Sequence, residues 1–177
     1  MKKILLLLSA LTLAIGLAAC SSNDDAKTEK KEEPKEAASP KVDVKKELVK
    51  FYMDLGNKIN AKDADLNAYV AKATKEDAKP EELPTAEDRA KASESAAAVD
   101  AELNSIQVPS ELKDQKADLE AAVKDYAASY QAMADELKKD APALDAADET
   151  FAQAEEKLGK VFETAKLLPP SLGKQVN

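Results

Sequence analysis

A chain of 177 residues is long enough for one ordinary domain and an additional segment. Its 34 acidic against 26 basic side chains leave a formal charge of −8, which disfavours nucleic acid as a partner, because that affinity comes mainly from Lys and Arg on phosphates. The absence of histidine and the single cysteine exclude Ser-His-Asp and Cys-His catalysis, Glu-x-x-His di-iron bundles, an internal disulfide and a thiolate zinc site.

The chain opens with Lys2 and Lys3, then an apolar run from Ile4 to Ala19 broken only by Ser9, Thr12 and Gly16. Sixteen residues span about 24 Å as a helix, short of the roughly 20 residues that a hydrocarbon core requires. A short basic region, an apolar run of this length and small residues at its end form a signal peptide over residues 1–19. The run closes on Leu17-Ala18-Ala19-Cys20, and Cys20 is the only cysteine. This tetrapeptide resembles the bacterial lipobox. The resemblance implies that Leu17, Ala18 and Ala19 are read by the signal peptidase and that the chain is cut before Cys20. It also implies that the Cys20 thiol carries a diacylglyceryl group, with palmitate-type acyl chains holding the protein in the membrane. In composition and arrangement the chain is similar to uncharacterised small helical lipoproteins of Gram-positive bacteria. An outward-facing, lipid-anchored location on the cell membrane follows from the resemblance, with the Gram-negative outer membrane as the alternative.

Residues 20–41 carry mixed charges, two prolines and almost no large apolar side chain. Such a segment buries too little surface to offset its chain entropy and reads as a disordered tether. From Val42 the pattern changes. Val44, Leu48, Phe51, Leu55 and Ile59 recur at spacings of three and four, and Leu66, Val70 and Ala73 continue the phase, predicting one amphipathic helix to about Lys75. Lys79-Pro80 to Pro84 is loop chemistry. Thr85 with Asp88 approximates a capping box for a second, alanine-rich helix reaching about Ile106. A third runs from Leu112 through Tyr126 and Tyr130 to Leu137, with Lys138 and Lys139 at its end, where the helix dipole favours cations. Asp140 or Asp145 starts a fourth that ends before Pro169-Pro170.

No stretch alternates with the period of a strand. The expected fold is therefore all-α: an antiparallel up-down four-helix bundle over 42–168, behind the signal peptide and tether, with a loose tail at 169–177. Gly56 and Gly159 lie beside the apolar stripes of the first and last helices, and an antiparallel pairing would bring these two helices into close backbone contact there.

Chemistry-bearing residues are few. Among Asp145, Asp148 and Glu149, Glu155 and Glu156, and Asp135 and Glu136, pairs at i, i+3 or i+4 could chelate a hard cation, but they lie interleaved with lysines on polar faces and no Asp/Asn/Gly loop like that of an EF-hand accompanies them. No metal, no cofactor, no serine–lysine dyad and no catalytic residue is assigned, so the chain reads as a non-enzyme. Tyr126 and Tyr130 share a helix face at i, i+4 and are the candidate lining of a ligand cleft. The expected function is a membrane-anchored, extracytoplasmic, non-catalytic binding or scaffold module for a protein or envelope component. The alternative is a small-ligand carrier with its ligand between helices near Tyr126 and Tyr130.

Overall fold

A computed structural model of the chain describes residues 43–176, all within one compact body. The signal peptide, the lipobox Leu17-Ala18-Ala19-Cys20 and the tether lie outside the described residues. The described part is an all-α bundle of five helices: α1 Val44–Asn60, α2 Ala64–Ala73, α3 Ala86–Asn104, α4 Lys116–Glu136 and α5 Asp145–Thr164. Single 3₁₀ turns at Pro80–Glu82 and Ser110–Leu112 punctuate the connections before α3 and α4.

The count corrects the expected four-helix bundle. The single helix expected from Val44 to Lys75 is two, broken at residues 61–63. The break is held from outside by a buried serine of α3. Ser95 Oγ donates to the Lys62 carbonyl at 2.6 Å and accepts from the Leu66 backbone N–H at 3.3 Å. One hydroxyl thereby satisfies the carbonyl released at the break and an orphan N–H in the first turn of α2.

Local signals place the remaining helix ends. Asp43 caps α1, its carboxylate accepting from the Lys45 and Lys46 N–H groups. Thr85 and Asp88 form the expected capping box of α3: Asp88 N–H donates to Thr85 Oγ1 at 3.1 Å and Thr85 N–H to Asp88 Oδ2 at 2.8 Å. Lys72 also reaches Asp88, and these partners hold its carboxyl well below the usual carboxylate range, the lysine being the largest cause. α5 is stopped just beyond its last residue, Thr164, by Lys166, whose φ of 58° is left-handed; Leu167 N–H returns to the Phe162 carbonyl and Lys166 N–H to that of Glu163. This is a Schellman stop with lysine where glycine is usual.

The core is built of large apolar side chains on α1 (Leu48, Phe51, Leu55, Ile59) and of alanine, aliphatic and aromatic side chains elsewhere. α3 packs on α4 through Ala92, Ala96, Val99 and Leu103, and α4 packs on α5 through small residues, among them Ala122, Ala134 and Ala154. Small faces let backbones approach, and buried serines use that closeness: Ser93 Oγ donates to the Ala134 carbonyl and Ser129 Oγ to that of Ala147, both at 2.7 Å. Each such bond contributes about 1 kcal/mol and ties two helices at one register.

The expected loose tail is packed. Leu172 and Val176 are buried in the core, and residues 171–176 are held by α1, α2 and α5. Tyr52 Oη donates to the Ser171 carbonyl at 2.9 Å, Asn60 Nδ2 to that of Gln175 at 3.0 Å and Asn67 Nδ2 to that of Val176 at 3.1 Å. Glu155 receives Gly173 N–H at 2.9 Å and Ser171 Oγ at 3.2 Å. This strap also corrects the expected meeting of Gly56 and Gly159. A Cβ on Gly56 would lie 2.5 Å from the Gln175 side chain, and one on Gly159 would lie 3.4 Å from Pro169. Both glycines face the C-terminal segment rather than each other, Gly56 making room for Gln175 and Gly159 leaving space for an ordinary contact with Pro169; α1 and α5 meet instead through Tyr52 and Phe162, edge-on with centroids 6.0 Å apart.

Candidate functional site

The site begins with the two tyrosines at i, i+4 on α4. Both turn inward, and both meet Phe151 of α5 edge-on, at centroid distances of 5.0 Å for Tyr126 and 6.2 Å for Tyr130. Such pairs contribute about 0.5–1.5 kcal/mol beyond their buried area and fix the angles of the rings. The two then differ. Tyr126 is fully buried and its hydroxyl has no hydrogen-bond partner. Burial, followed by the Glu155 carboxylate and the neighbouring Tyr52 and Tyr130, pushes that hydroxyl far above the ordinary phenol value.

Tyr130 borders open space. A groove of about 390 Å³ lies beside it. Leu66, Asn67, Val70 and Thr74 of α2 form one wall, Tyr130 and Met133 of α4 another, and Leu144, Asp148 and Phe151 at the start of α5 a third. Gly173 and Val176 of the strap close the end. Gly173 keeps that end roomy: a Cβ at that position would stand 3.3 Å from the Phe151 ring edge and press on the ring. Sequence reasoning therefore found one wall residue, Tyr130, and a neighbour, Tyr126, that supports Phe151 from inside. It missed Phe151, Met133, Leu144, the α2 wall and the strap. Phe151 was legible as part of an apolar stripe, but nothing in its spacing marks it as half-exposed.

The electrostatics of the groove are one-sided. The Asp148 carboxylate stands at its rim with no ion pair or hydrogen bond of its own, the backbone N–H of the residue donating to the Leu144 carbonyl. Burial first, and the nearby Asp145 second, raise its carboxyl above the ordinary value. Asp63, just before α2, is 3 % exposed and its Oδ2 has no partner. Burial raises it too, countered in part by a hydrogen bond from Asn67. The Tyr130 hydroxyl is pushed well up by burial and then by the charge of Asp63. No lysine or arginine lines the groove. The cations near its α4–α5 end are engaged elsewhere: Lys138 with Asp135 at 2.8 Å, Lys139 with Glu136, and Arg89 with the Asp140 carbonyl at 2.8 Å.

Other chemistry can be placed. Among the described residues no group of three or more acidic or cysteine side chains is positioned to hold a metal ion. Two serines carry a lysine three residues on, Ser110 with Lys113 and Ser171 with Lys174, the spacing of a serine–lysine dyad. Their hydroxyls are spent on carboxylates, Ser110 on Glu111 at 3.1 Å and Ser171 on Glu155. No helix among the described residues is long and apolar enough to cross a membrane. None of the protein-family models, curated proteins or solved structures compared with the chain matches it.

Proposed function

We propose that residues 43–176 form a non-catalytic module that binds a small molecule in the groove between α2, α4, α5 and the C-terminal strap. The observation that carries this reading is the groove itself: about 390 Å³ walled mainly by Tyr130, Phe151, Met133, Leu144 and Val70, within the size range of small-molecule sites. A ligand there would bury an apolar body against rings whose angles are already fixed by Tyr126, so little ordering cost is left to offset affinity. The lipobox-like Leu17-Ala18-Ala19-Cys20 supports a lipid anchor on Cys20, holding the module at the outer face of the cell membrane. Loss of palmitate labelling in a Cys20→Ala chain tests the anchor, and retained labelling would refute it.

The groove is tested by titration with Nile red, a neutral apolar dye whose emission reports transfer from water. The expected result is saturable binding that Val70→Phe, which fills the groove from α2, weakens at least tenfold while the melting temperature stays within a few degrees. No binding to either form, or equal binding to both, would overturn the reading.

A further inference from the structure

The charge of the walls carries the reading a step further, to the class of ligand. We propose that the groove selects a cationic amphiphile, an aromatic or aliphatic amine whose hydrocarbon body lies against Phe151, Met133 and Leu144 and whose ammonium pairs with Asp148. This inference rests on the ligand-groove reading and adds the sign of the ligand's charge to it.

Three observations converge. Asp148 is a carboxylate at the rim with no side-chain partner and with Asp145 as its nearest charge, whereas Lys138 and Lys139 near this end are taken by Asp135 and Glu136. The buried Asp63, outside the lining but close enough to act on the Tyr130 hydroxyl, keeps one oxygen unpartnered and adds negative charge on this side. No cation lines the walls to neutralise an anionic ligand. The one opposing feature is the N-terminus of α5, where Asp148 lies in the first turn. Its helix dipole is equivalent to roughly half a positive charge, and Asp145 and Asp148 together outweigh it. An anionic head group brought to this rim would face the repulsion of Asp145 and Asp148 with no lysine or arginine in the lining to offset it. An ammonium would supply the missing counter-charge and hydrogen-bond donors at a partly desolvated carboxylate, which strengthens such a bond relative to one in open water.

The test uses a matched pair of probes, tryptamine and indole-3-propionate, which share the ring and differ in the sign of the head group. The chain contains no tryptophan, so indole emission reports the probe alone. Tryptamine is expected to bind about two- to fivefold more tightly than the propionate, the range for a partly exposed ion pair. Asp148→Asn should abolish that preference by weakening tryptamine and not the propionate. Asp148 is more than a third exposed, so the substitution leaves the core untouched. If the propionate binds equally or better, and Val70→Phe blocks it, the groove reading stands and the inference about charge is overturned. If neither probe nor Nile red binds, the groove reading itself fails and the inference fails with it. A preference for tryptamine that survives Asp148→Asn would also refute the assigned role of Asp148.

Discussion

At the scale of single residues the interior holds several polar atoms whose desolvation is not repaid by a bond. Tyr126 is the clearest: a fully buried phenol with an unpartnered hydroxyl, packed edge-on against Phe151. An unmade buried hydrogen bond costs about 1–3 kcal/mol, whereas the ring carries the packing. Tyr126→Phe should therefore leave stability unchanged or raise it by about 1 kcal/mol, measured by urea denaturation. Nile red affinity should also be unchanged, since Tyr126 forms no wall of the groove. A loss above about 1 kcal/mol would mean that the hydroxyl has a partner, such as an ordered water. The comparison also separates the two tyrosines, which the i, i+4 spacing presents as equivalent. Only the positions of Phe151 and Val176 decide that Tyr130 faces the groove, and neither is near it in sequence.

At the scale of elements, what was legible follows how local the cause is. The α3 capping box is spelled out by Thr85 and Asp88, three residues apart, and forms as read. The stripe Leu48, Phe51, Leu55, Ile59 is equally local and is buried as read. The break between α1 and α2 was hidden, because Ile59 and Leu66 are seven residues apart and the apolar phase runs across it unbroken. Its support comes from Ser95, far along the chain on another helix. The strap was hidden for a related reason: residues 171–177 contain only two large apolar side chains, Leu172 and Val176, with no period to mark them. Their burial depends on receptors in α1, α2 and α5. A chain ending at Pro170 tests the strap. Two buried aliphatic side chains at about 1.5–3 kcal/mol each predict a loss of about 3–6 kcal/mol. Losing the Gly173 and Val176 wall should weaken Nile red binding as well. A melting temperature within two or three degrees of the full chain would show that the strap contributes little.

At the scale of the whole molecule the carboxylates with shifted titration fall into two groups with opposite responses to pH. Glu82, Glu87, Asp88, Glu102, Asp135, Glu136 and Glu156 lie on the surface beside lysines that hold their carboxyls below the ordinary values. Their contribution is present above the unfolded-state value and fades as acid protonates them, and salt screens it. Asp63 is the opposite case. Burial raises its carboxyl above the ordinary 3.8, so the folded state binds its proton more tightly than the unfolded chain does. Its ionisation therefore lowers stability as pH rises from about 3.8 through the raised folded value, and the full penalty persists at neutral pH. Asp63→Asn keeps the shape and removes the charge. The variant should be more stable than the parent at pH 7, and the advantage should shrink to nothing at and below pH 3.8. Urea midpoints across this range measure it. A variant less stable at pH 7 would mean that the Asp63 charge is favourably placed at the start of α2, where a helix N-terminus attracts an anion, and that this attraction exceeds the cost of burial.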